Sequence, residues 1–153
     1  MFRKFNREKI ESVSEYVKDY VKKHPEVEII IGSDSQNWRF STVYATVIAL
    51  YSPGHGAHCV YNKWREKRER ITSVRLINEV NASIDCAEKL VNDGAPKATY
   101  IDIDVNSSPK FKSSEVYRSA RGMVEGMGYT VRDKDDAPLV TTMADFIVKH
   151  FKY

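Results

Sequence analysis

Cysteine is scarce in this chain. Cys59 and Cys86 are the two among 153 residues, too few for a disulfide framework and without the spacing of a zinc site. They read as reduced residues of a strand and a helix interior, in a cytoplasmic protein. No glycine cluster takes the form GxxxxGK[ST] or GxGxxG, so a nucleotide-binding loop is not supported. No apolar run approaches the roughly 18 residues a membrane span needs. The opening MFRKFNREKIES is charged throughout and lacks the apolar centre of a secretory signal. His55 and His58 flank a turn with no third soft ligand following, which suits surface residues. No Pro/Gly linker, repeat or low-complexity tract divides the chain, and its length suits one ordinary domain.

What is present is the composition of a folded domain, 42% apolar and 29% charged. The net charge of +3 and pI near 8.8 permit nucleic-acid binding without demanding it. Residues 63–70, KWREKRER, place five basic side chains beside Trp64, partly cancelled by Glu66 and Glu69. That segment is either a solvated strand end or a ridge facing phosphates.

Periodicity orders the chain. Ile10, Val13, Val17, Tyr20 and Val21 predict an amphipathic helix over 7–23, stopped by Pro25. EIIIGSD (28–34), FSTVYATVIAL (40–50) and AHCVYNKW (57–64) read as three strands, with SPGHG turning between the last two. Their short separations imply an antiparallel meander. Ile77, Val80, Ile84, Ala87 and Val91 then repeat at helical spacing, predicting a long helix over 72–92 that ends at Asn92-Asp93-Gly94. ATYIDIDV (98–105) reads as a fourth strand. A helix follows that Ser113 and Ser114 can cap, then strand YTVR (129–132) and a last helix over 142–151. A meander followed by helix-linked strands gives an α/β fold, a five-stranded mixed sheet with helices on both faces.

Carboxylates matter where strands deliver them. Asp34 stands where the first meander strand leaves its apolar run, and burying a carboxylate costs several kcal/mol unless it is paired, hydrogen-bonded or metal-bound. Asp102 and Asp104 share one face of an otherwise apolar strand, where two like charges repel unless a cation sits nearby. Asp104, nearer the strand's end, is the better ligand. Glu79 borders the apolar stripe of the long helix. Thr142 to Asp145 has a capping-box pattern, so Asp145 is accounted for as an acid in a first turn. The last helix buries either Met143, Phe146, Ile147 and His150 or Ala144, Ile147, Val148 and Phe151; only the second choice leaves Asp145 beside the sheet. Oxygen-rich clusters of this kind suit Mg²⁺ or Mn²⁺, and two such ions can serve phosphodiester hydrolysis.

The ordered set resembles the ribonuclease H-like superfamily: a carboxylate ending the first meander strand, a Glu in the next helix, an Asp on the fourth strand and an acid opening the last helix. More narrowly, IGSDSQ, IDIDVN, the KSSEV helix start and GMVEGMGYTVRDKDDAPLVTTMAD are similar to the bacterial YkuK family. The likeness covers roughly 28–150. It implies a single ribonuclease H-like domain over 1–153, with residues 1–25 as a helical addition and 28–151 as core. It also implies a metal-dependent nuclease acting on RNA or DNA, with Asp34, Glu79, Asp104 and Asp145 as catalytic and metal-binding residues for two Mg²⁺ or Mn²⁺ ions. Asp136 is an alternative fourth acid. Ser35 departs from the pattern, standing where ribonuclease H has a glycine that helps approach the hybrid backbone. Ser35, Lys112, Arg118 and Arg121 are the candidate substrate contacts. A non-catalytic nucleic-acid-binding or assembly module is the rival reading, and a phosphatase acting on small nucleotides a third.

Overall fold

A computed structural model describes residues 1–104, 114–133, 136 and 139–151. Its sheet has six strands: β1 (Arg3–Lys4), β2 (Glu28–Trp38), β3 (Ser41–Ser52), β4 (Gly56–Lys67), β5 (Tyr100–Asp102) and β6 (Val131–Arg132). The helices are α1 (Val13–Lys23), α2 (Thr72–Asn92), α3 (Glu115–Gly126) and α4 (Leu139–His150). Strand order is β1-β4-β3-β2-β5-β6. The meander β2-β3-β4 is antiparallel, and β5 and β6 add in parallel on the β2 side.

Two corrections to the expected fold come from the N-terminus. The sheet has a sixth strand because Arg3 and Lys4 pair with Tyr61 and Val60 on the free edge of β4. Helix α1 begins at Val13, not residue 7, because the chain first turns back on itself. Ile10 donates its N–H to the Phe2 carbonyl, and the Ser12 hydroxyl then caps the helix by accepting from Glu15 N–H.

Side-chain alternation divides the core into two layers. Ile29, Ile31, Ile48, Leu50, Val60 and Ile101 face α1, α2 and α3. Ile30, Val43, Ala45, Val47 and Tyr61 face α4. Gly32 lies on the α4 side, where an added Cβ would stand 3.0 Å from Val140 Cγ1 and 3.3 Å from the Thr141 backbone nitrogen. The missing side chain lets α4 cross β2 closely, so the last helix reaches the strand end that carries Asp34.

Helix α4 also starts earlier than its sequence pattern implies, at Leu139 and not residue 142. Thr142 is therefore inside the helix and is not its cap. The first turn is instead served from β5, where the Asp102 carboxylate accepts a hydrogen bond from the Val140 backbone. Ala144, Ile147 and Val148 are buried while Phe146 is 51% exposed. Of the two faces open in the sequence, α4 uses the one that turns Asp145 toward the sheet. Among the described residues no helix is long and apolar enough to cross a membrane.

Candidate carboxylate site

Strand β5 pairs with β2 as far as Asp102 opposite Gly32. Asp34 stands two residues further along β2. At this strand end, acids from both faces of the sheet approach one another. Asp34 points to the α4 side and Glu79 comes from the second turn of α2; each is 7% exposed.

A polar seam under α2 leads to them. The Ser33 hydroxyl hydrogen-bonds with Thr46 Oγ1 at 2.8 Å and Ser83 Oγ at 2.7 Å. One step along the same face, the Ser35 hydroxyl donates to Glu79 Oε1 at 2.8 Å. Ser33, Ser35, Ser83 and Glu79 thus form a strip inside an otherwise apolar interface.

Burial, more than any other influence, pushes the Asp34 carboxyl well above its usual range, and the Asp104 charge pushes it further. Burial likewise raises Glu79, followed by the charge of Asp34. The Glu79 and Asp145 side chains also act on Asp34. The four acids singled out in the sequence therefore act on one another. Asp136 does not join them: its Oδ2 accepts from the Asp133 N–H at 3.1 Å, and its charge acts on Asp102.

Asp102 has a different place. Arg132 on β6 grips it with two bonds, Nε to Oδ1 at 2.7 Å and an η nitrogen to Oδ2 at 2.9 Å. β5 ends at Asp102, so Asp104 lies beyond it, and the cation that the two acids call for is, at Asp102, a guanidinium. Burial still pushes Asp102 upward, with Arg132 pulling the other way. The same guanidinium lies 4.5 Å from the Tyr100 ring centre.

The candidate substrate contacts disperse. Ser35 is buried on the α2 face and serves Glu79. Arg121 is held by the Tyr117 hydroxyl, by Glu125 and, at 3.7 Å, by Asp133. Arg118 is exposed on α3, and Lys112 lies outside the described residues. Lys149 is a cation that sequence reasoning passed over. It bonds Asp145 at 2.9 Å, and its ammonium is held above its ordinary range by that pair first and by Asp34 and Asp104 more weakly. The i, i+4 spacing of Asp145 and Lys149 was the available signal. His58 is not a plain surface residue: it stacks on Tyr20 and bonds the Tyr16 hydroxyl, joining β4 to α1.

Among the described residues, no three His, Cys, Asp or Glu side chains stand close enough together to enclose an ion. The fit to a divalent cation is one of donor chemistry. The facing groups are carboxylate oxygens, which suit Mg²⁺ or Mn²⁺. Two of them are desolvated and mutually repelling, a cost that either a proton or a cation relieves.

The Ribonuclease H-like family profile matches residues 9–149. No curated protein matches the chain. Among solved structures, it is similar to the N-terminal RNase H domain of a Mycobacterium tuberculosis protein, determined as a fusion with maltose-binding protein. That likeness has a TM-score of 0.42 at 12% identity, covering 80% of this chain and 96% of the other. On the extent of the family match, the chain belongs to the ribonuclease H-like family.

Proposed function

We propose that the protein is a divalent-metal-dependent nuclease that hydrolyses phosphodiester bonds of RNA or DNA at Asp34, Glu79, Asp104 and Asp145. The observation that carries this reading is the meeting of two buried carboxylates from different elements, Asp34 of β2 and Glu79 of α2, with Ser35 fixing one of them. A structural ion pair would have set a Lys or Arg between two such groups. Here the neighbours acting on Asp34 are more acids. The motif likeness to the YkuK family and the family membership support the same reading; the free cysteines suit a reducing, cytoplasmic setting.

Asp34, Glu79, Asp104 and Asp145 would hold the cation. When bound, it supplies Lewis-acid chemistry, acidifying water and offsetting charge that builds on the phosphate. The chain's own part is positional. Ser35 holds one Glu79 oxygen and thereby orients the other. Gly32 lets α4 approach and so sets the depth of Asp145. Lys149 places a positive charge at the rim, where a substrate phosphate is attracted.

The test is cleavage of labelled RNA, DNA, hybrid and branched substrates with Mn²⁺ or Mg²⁺. Cutting that disappears in both Asp34→Asn and Asp104→Asn is the expected result. A folded wild type that cuts none of these substrates overturns the reading in favour of a nucleic-acid-binding module.

A further inference from the structure

The α4 side of the sheet continues beyond Asp34 into an open groove of about 760 Å³, walled by the last turn of α4. Cross-strand register lays out its floor. Asp34 is opposite Ala45, then Gln36 opposite Val43, then Trp38 opposite Ser41; Val43 and Ser41 are in turn opposite Arg65 and Lys67 of β4. All of these share one face of the pleat. Of these, Gln36, Val43, Trp38 and Arg65 line the groove itself; Asp34 lies two residues before Gln36 and Lys67 two residues beyond Arg65 on the same face. Lys149 and His150 form its wall.

Trp38 is 55% exposed and Phe40, at the hairpin tip beyond it, 91% exposed. Exposed aromatics of this size at a strand end serve no core. Arg39 between them adopts a left-handed backbone, φ 54°, and its guanidinium sits 5.9 Å from the Trp38 ring centre. The acids of this region are turned elsewhere: Glu66 accepts from the Trp64 indole and Glu69 from the Ile71 N–H. Lys63 lines the groove with its ammonium already engaged. Its ammonium bonds the carbonyls of Ile147, Val148 and Phe151 and fixes the end of α4 that forms the wall.

We propose that this groove is the seat of a single-stranded segment of nucleic acid, with a base stacked on Trp38 and the backbone led past Lys67, Arg65 and Lys149 toward Asp34. The inference rests on the nuclease reading and adds the form of its substrate. Charge complementarity supports a polyanion, and the aromatics favour a single strand, because a duplex hides its base faces against one another. Trp38 is four residue steps along the strand from Asp34, about 13 Å, so the stacked base lies a few nucleotides from the phosphate at the carboxylates.

The test is fluorescence anisotropy with a short labelled single-stranded RNA or DNA of mixed sequence, in EDTA so that nothing is cut. Wild type binds the single strand more tightly than the matching duplex. Trp38→Ala weakens that binding about tenfold, as loss of one stacked base requires, and Trp38→Phe largely restores it. Trp64→Phe, on the opposite face, leaves binding intact and makes Trp38 the remaining indole, whose emission is quenched by the oligonucleotide. Equal binding by wild type and Trp38→Ala, preference for duplex, or no binding by wild type each overturns the proposal. Retained Trp38-dependent binding without any metal-dependent cutting would instead refute the nuclease reading and leave the groove standing.

Discussion

The Ser35 hydroxyl donates to Glu79 Oε1 at 2.8 Å, joining the far half of β2 to the second turn of α2. Neighbouring residues of β2 point to opposite faces, so Ser35 engages the α2 side while Asp34 is presented to the α4 side. The site is built where those two sides meet beyond the end of β5. Removing the hydroxyl leaves a buried carboxylate short of one donor. Ser35→Ala is expected to lower metal-dependent turnover at least several-fold while costing roughly 1–3 kcal/mol of stability. Ser35→Thr, which keeps a hydroxyl, should retain more of both. Urea unfolding and turnover on one substrate measure the two effects.

Asp34 is held among like charges, so removing its charge should stabilise the metal-free fold. In EDTA at pH 8, Asp34→Asn is expected to raise Tm by a few degrees, on the order of 1 kcal/mol, while abolishing cutting. A lowered Tm would mean that Asp34 is held by favourable contacts and not by repulsion.

Asp102 is expected to behave in the opposite way. It joins Arg132 of β6 to the first turn of α4. Asp102→Ala leaves a guanidinium without its partner and a helix end without its acceptor, at a cost of about 3–5 kcal/mol. Denaturant unfolding of Asp102→Ala and Arg132→Ala, with the double variant, should give a cycle that is strongly non-additive.

Gly32 is a contact point. Val at this position forces a side chain against Val140 and Thr141, already 3.0 Å and 3.3 Å from an added Cβ. Gly32→Val should cost about 1–3 kcal/mol through overpacking, and Gly32→Ala less. Thermal unfolding checks the order.

A pH dependence follows from His58. Burial first, and the Lys4 charge second, hold its imidazole below its usual value of 6.5. The unfolded chain thus takes up the proton before the folded one does. The stability His58 contributes is complete above about pH 6.5 and is lost as pH falls through the lower folded value. Subtracting the pH–stability curve of His58→Gln from that of wild type should leave a term declining on acidification. A flat difference would contradict the burial of His58 against Tyr16 and Tyr20.

The elements and acids were legible in sequence to the extent that local pattern determines them. The meander strands, α2 and the exposed position of Arg118 follow from spacing or composition within a short window, whereas the choice of buried face on α4, which leaves Phe146 exposed, did not. The sequence pattern failed where a distant group intervened. Thr142 looked like a cap because the true acceptor, Asp102, lies on another strand. The charge beside Asp102 was unreadable because Arg132 reaches it only through the pairing of β5 with β6. The sixth strand was too short to show alternation. Glu79 illustrates the middle case: its place on the helix was readable, while its hydrogen-bond partner, Ser35, lies 44 residues away.

The central claim is that Asp34, Glu79, Asp104 and Asp145 take up a divalent cation together. Isothermal titration calorimetry of the metal-free protein with Mn²⁺ tests it most directly, comparing wild type with Asp34→Asn and with Asp102→Asn. Saturable binding in wild type and Asp102→Asn that is lost in Asp34→Asn is the predicted result. Equal binding in wild type and Asp34→Asn, or none in a folded wild type, would contradict it.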